Sequence, residues 1–142
     1  MEPGVTGSPT PHPSLTGRDR GFWRGRWYSL RAAVHGAWHT LRTQPNAWIE
    51  VTAGVGVIAA GVWLRVSVVE WAILGIAICG VLAMEAFNTA LEAIVDLASP
   101  RYHDLARIAK DAAAGALVFT VLGSIWAGVA IFGPRLLALL SY

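Results

Sequence analysis

Glu85, Asn88, Glu92 and Asp96 follow one another at i, i+3, i+7 and i+11 inside an otherwise apolar stretch. At about 100° per residue they fall near 0°, 300°, 340° and 20° around a helix, a sector of about 80°. Placing one ionised carboxylate in a bilayer costs at least ~2.5 kcal/mol on the most lenient scale, so this row of polar groups on one face points to a site. Carboxylates so placed can take a proton, hold Mg²⁺ or line a proton path. Further on, after Ser99-Pro-Arg-Tyr-His-Asp, comes the chain's single lysine, Lys110, followed by Asp111 at the start of the next apolar run. A helix beginning there would put a cation and backbone amides opposite the carboxylate face. Lysine binds phosphate as a point charge, and the two features together suggest phosphoryl transfer at a membrane surface. The acids alone would also suit an ion- or proton-coupled transporter subunit, and that alternative stays open at this point.

Groups placed in this way need helices that cross a bilayer, and the composition supplies them. Hydrophobic residues make up 55% of the 142 and charged residues 14%, with a mean hydropathy of +0.51. A soluble domain carries about 25% charge. Three apolar stretches, Trp48 to Leu64, Val68 to Ala98 and Ala112 to Leu140, read as membrane spans. Before them, Trp27, Leu30, Val34, Ala37, Trp38 and Leu41 recur at helical spacing opposite Arg31, His35, His39 and Arg42, the pattern of a helix lying in the membrane interface. The expected fold class is all-α, an N-terminal amphipathic surface helix plus three transmembrane helices. Residues 1–21, with Pro3, Pro9, Pro11 and Pro13 among Gly, Ser and Thr, read as a disordered tail, leaving 22–142 as the membrane domain.

The net charge of +2 is too small and too scattered for nucleic-acid binding. Cys79 stands alone, so the chain has no disulfide framework and no cysteine-based metal site. Arginines cluster before the first span and again between the second and third, which by the positive-inside rule puts the N-terminus and the second loop in the cytoplasm and the C-terminus outside. Small residues four apart (Gly75/Cys79, Ala86/Ala90, Ala112/Ala116, Ser124/Gly128) would let helices approach closely. No Gly-rich loop ends in Gly-Lys-Ser/Thr and no His-Arg-Asp or Asp-Phe-Gly triplet occurs, so a kinase here is of another kind.

Glu85-Ala-Phe-Asn-Thr-Ala-Leu-Glu92-Ala-Ile-Val-Asp96, then Tyr102-His103, then Ala109-Lys110-Asp111-Ala-Ala-Ala-Gly resembles the signature of the bacterial integral-membrane diacylglycerol kinase family, which includes undecaprenol kinases. The resemblance runs from about Leu30 to Phe119. It implies a homotrimer in the cell (inner) membrane, with active sites shared between subunits, that phosphorylates a lipid alcohol with ATP and Mg²⁺. By the same resemblance Glu85 matches the catalytic base, Asn88 the asparagine one turn away, and Glu92 a metal-ligating glutamate. Lys110 and Asp111 match the pair that contacts the nucleotide phosphates and supports the base. Asp96, Tyr102 and His103 fall in the nucleotide site, and Glu85 with Ala114 would meet the lipid. Two positions depart from the pattern. Gln44 stands where the family often has a second metal-ligating glutamate, and an amide oxygen can still coordinate Mg²⁺ but without charge. Ala32 stands where many members have a tyrosine, leaving that nucleotide contact unfilled. The stretches around Asn88-Thr-Ala-Leu-Glu92 and Lys110-Asp-Ala-Ala-Ala-Gly115 are more similar to the undecaprenol-kinase branch than to the enterobacterial diacylglycerol branch.

The physical demands agree. A lipid hydroxyl stays at headgroup depth, so its base must come from within a span near the cytoplasmic end, while ATP stays in the cytosol. Glu85, about 16 Å of helix from Asp96, can reach the lipid; Glu92 and Lys110, nearer the surface, can meet metal and phosphate.

Overall fold

The computed structural model describes residues 21–141, and nearly all of them lie in four helices with no strand among them: α1 (Phe22–Thr43), α2 (Pro45–Trp63), α3 (Val68–Ala98) and α4 (Asp104–Leu140). The tail expected over residues 1–21 lies, apart from Gly21, outside the described residues. The chain divides into two units within α1, one ending at Gly36 and the other beginning at Ala37. Three helices, α2, α3 and α4, are long and apolar enough to cross a membrane, as expected, and the chain is a membrane protein.

Local chemistry sets the helix ends. Pro45 opens α2 at a position where a missing N–H costs nothing. The α2–α3 turn passes through Arg65, held at φ 50°, and α3 starts on a capping box. Ser67 N donates to Glu70 Oε2 at 2.7 Å, and Glu70 N donates to Ser67 Oγ at 3.4 Å. At the other end Ser99 and Pro100 stop α3. His103 then caps α4, its Nδ1 accepting from Leu105 N at 3.1 Å.

Two span boundaries differ from the hydropathy reading. The first span begins three residues earlier, at Pro45 rather than Trp48. The helix carrying the third begins at Asp104, eight residues before Ala112, because the His103 cap and the helix-forming run Leu105-Ala-Arg-Ile-Ala start it before it becomes apolar. At 37 residues α4 is about 55 Å long against a bilayer core of about 30 Å, so its charged first turns extend beyond the hydrocarbon.

Packing centres on α3, which lies along α4 over much of its length and against α2 over less. The close approaches come from glycines. A methyl group at Gly61 would sit 2.7 Å from the Trp71 ring, and one at Gly54 would sit 3.3 Å from Ile78 Cγ2. Of the small-residue pairs expected to do this, Ser124 does contribute, donating to Ala77 O of α3 at 3.4 Å. Gly75 and Gly128 have nothing within 4 Å of where a Cβ would stand, so neither makes a close helix contact within the chain. A small apolar core of Val66, Leu74 and Ile131, flanked by Val57, Trp71 and Phe132, gathers at the end of the bundle where α3 starts. There Arg135 grips Glu70 through two hydrogen bonds of 2.8 Å, Nη1 to Oε1 and Nη2 to Oε2, joining α4 to α3. Core and clasp tie down one end of the bundle; the polar row sits toward the other.

Candidate active site

Glu85 lies 17 residues into α3, about 26 Å from Val68, close to the far edge of a ~30 Å hydrocarbon core. It is 1% exposed, and Asn88, one turn on, is 7% exposed; with Thr40 they are the buried polar side chains among the described residues. Asn88 Nδ2 donates to Glu92 Oε1 at 3.2 Å, joining two of the four members of the row expected from the spacing. It nevertheless has open ends: Glu85 Oε2 and Asn88 Oδ1 are buried and have no hydrogen-bond partner among the described residues. Each buried acceptor left unpaired costs roughly 1–3 kcal/mol, so both oxygens are free to accept a hydrogen bond from a bound donor.

A residue the sequence reading passed over completes this cluster. Glu50, on α2, also has a buried Oε2 without a partner, and its carboxyl lies within electrostatic range of Glu85, as Glu92 does from the other side. The signal was present, a lone acid in an apolar span, but a single residue does not show which way its helix is turned. Here α2 turns it inward. An apolar groove of about 340 Å³ between α2, α3 and α4, walled by Ile49, Ala53, Val57, Leu74, Ile78 and Phe132, has Glu50 on its lining.

The second cluster is exposed. Lys110 Nζ meets Asp96 Oδ1 at 2.5 Å, Arg107 Nη1 meets Asp111 Oδ2 at 2.9 Å, and Tyr102 Oη donates to Asp104 Oδ1 at 2.9 Å. All of these but Asp104, with His103 and Arg101, line a recess of about 340 Å³ at the α3–α4 connection. Three cations, Arg101, Arg107 and Lys110, stand around the recess with two carboxylates, Asp96 and Asp111, which pair with Lys110 and Arg107. One expectation is corrected here. Lys110 does not stand at a helix N-terminus; it is in the second turn of α4, past the first-turn N–H groups, and its partner on α3 is Asp96.

Gln44 is half-buried at the N-cap of α2, where its side chain does not cap the helix. Ala114 is exposed on α4, one turn past Lys110. Among the described residues no group of three His, Cys, Asp or Glu side chains could cage a metal unaided. Mg²⁺ is commonly held by one or two carboxylates plus substrate phosphates, so a single carboxylate such as Glu92 is chemically compatible with that ion.

The site therefore has two parts: a buried glutamate with Asn88 and Glu92 beyond it on an apolar helix, and an exposed recess at the α3–α4 connection lined by both cations and carboxylates. The chain belongs to the prokaryotic diacylglycerol kinase family, which it matches over residues 31–132. It is 42% identical over 105 residues to the undecaprenol kinase of Bacillus subtilis (strain 168), covering 73% of this chain and 85% of that one. It is 39% identical over 113 residues to a diacylglycerol kinase of Synechocystis sp., covering 79% and 65%. It is 33% identical over 100 residues to the diacylglycerol kinase of Escherichia coli (strain K12), covering 66% and 79%. The protein is a lipid kinase with a nucleotide as phosphoryl donor; the transporter alternative finds no support among these relatives.

Proposed function

We propose that this kinase transfers the γ-phosphate of ATP to the hydroxyl of a membrane lipid alcohol, undecaprenol in preference to diacylglycerol, with Glu85 as general base. The observation that carries the reading is the buried, unpartnered Oε2 of Glu85 beside Asn88 and Glu92. A lipid hydroxyl that donates to this oxygen satisfies it and is aligned for attack in the same contact. As the hydroxyl oxygen forms its bond to the γ-phosphorus, its proton passes to Glu85 and the bridging bond to the β-phosphate breaks, releasing ADP. Asn88 holds the Glu92 carboxylate through its amide N–H and leaves Oδ1 toward the substrate. Lys110 exchanges Asp96 for the transferring phosphate, with Asp111, Tyr102 and His103 bordering the nucleotide and Ala114 facing lipid. Glu92 and Gln44 would hold Mg²⁺, which when bound neutralises charge on the β- and γ-phosphates. Glu50 orients the acceptor beside Glu85, and the apolar groove that it lines has room for part of the lipid chain.

The acceptor assignment rests on the undecaprenol-kinase relative and on the local stretches around Asn88 and Lys110. The same reading makes the enzyme a homotrimer with shared sites, its N-terminus and α3–α4 turn cytoplasmic and its C-terminus outside. Unpartnered oxygens on Glu50, Glu85 and Asn88 of one chain favour completion of the site by substrate or by a neighbouring subunit. The test is competition between undecaprenol and diacylglycerol in one bilayer with labelled ATP and Mg²⁺. The label should enter undecaprenol faster; preference for diacylglycerol would reverse the acceptor, and no transfer to any lipid alcohol would contradict the whole proposal.

A further inference from the structure

From Phe22 to Ile49 the chain holds four arginines and two histidines and not one carboxylate. Outside that stretch Arg107, Lys110 and Arg135 each have an acidic partner within 2.9 Å, while Arg65 and Arg101 have none among the described residues. None of the α1 arginines has one among the described residues. The unbalanced charge is also ordered. At about 100° per residue, Trp23, Trp27, Leu30 and Val34 fall within about 60° of one another, forming an apolar stripe on the first four turns of α1. Arg24, Arg31 and His35 form a row within about 40° along one edge of it, and Arg26 stands on the other edge. The stripe is bare: Trp23 is 81% exposed and Trp27 69%. Arg26 is stacked 5.3 Å above the Phe22 ring, and Arg31 borders an apolar dent formed with Trp27, Leu30 and Val34.

An apolar stripe with cations on both edges matches a bilayer surface whose headgroups carry negative charge. The stripe enters the acyl boundary while the guanidinium groups stay level with the phosphates. The reaction also makes such a surface, because each turnover leaves a phosphorylated, anionic lipid in the membrane. We propose that the stretch of α1 from Phe22 to Gly36 is a docking surface for anionic phospholipid headgroups, with Arg24 and Arg31 as the charge-reading residues. An arginine at an anionic surface contributes about fivefold in partition, so the pair accounts for roughly 25-fold.

Hydrogen exchange of the full chain in nanodiscs tests this. The probes are discs of phosphatidylcholine alone and discs with phosphatidate mixed in. Amides of α1 should exchange many-fold more slowly in the phosphatidate discs, and high salt should remove the difference. Arg24→Gln with Arg31→Gln should remove it too, while α3 and α4 keep their protection and turnover in phosphatidylcholine is unchanged. Equal α1 protection in both kinds of disc would overturn the proposal, as would protection that follows added ATP in place of lipid charge.

Discussion

Lys110 Nζ lies 2.5 Å from Asp96 Oδ1, and through that contact the charged end of α4 meets α3 about three turns away from Glu85. Glu85 therefore holds no cation in place, and its burial has to be explained by something other than an interhelical ion pair.

The Lys110–Asp96 pair is open to solvent, at 36% and 67% side-chain exposure, so it adds on the order of 0–1 kcal/mol to stability. Lys110→Gln should leave the thermal midpoint almost unmoved. If the lysine meets phosphate, the same change should raise the KM for ATP by about tenfold or more, the loss expected for a charge-assisted contact. Initial-rate kinetics beside a thermal melt separate the two effects.

Gln44 and Glu92 should respond in opposite senses. Gln44→Glu adds a formal charge at the second metal position and should lower the Mg²⁺ concentration that gives half-maximal rate. Glu92→Gln removes the carboxylate that Asn88 orients and should nearly abolish activity. Mg²⁺ titrations of both variants check this; small, equal effects would put the metal elsewhere.

The α2–α3 contact gives a prediction about stability alone. Gly61→Ala brings a Cβ to 2.7 Å from the Trp71 ring and should destabilise by about 1–3 kcal/mol, whereas Gly54→Ala, at 3.3 Å from Ile78, should cost less. Unfolding of both variants in the same lipid or detergent ranks them. The reverse order would mean that the helices are not held at Gly61.

Much of this was legible in the sequence for specific reasons. The row from Glu85 to Asp96 shows because polar residues recurring three or four apart on one helix face are visible without knowing what the helix packs against. The spans show because nothing but a bilayer accommodates so much apolar length. What stayed hidden depends on rotation and long-range pairing. Glu50 is one acid on a helix of weak amphipathicity, so only packing reveals that it turns toward Glu85. Arg135 and Glu70 are 65 residues apart, and only the antiparallel run of α3 and α4 brings them together. Hydropathy places a helix start at Lys110, because the apolar run begins at Ala112, while the helix itself is started at His103 by a cap that carries no hydropathy signal.

The measurement that tests the central claim most directly is turnover, thermal stability and ATP affinity on a single preparation of Glu85→Gln. Glutamine keeps the shape of the buried side chain but cannot take the lipid's proton, so kcat should fall by ~10²–10⁴. Stability should hold or rise, since the desolvation cost of charging a side chain that is 1% exposed is removed, and ATP affinity should be retained, because Lys110 and Glu92 are untouched. Loss of stability and of nucleotide affinity in step with turnover would contradict the general-base role and make Glu85 a structural residue.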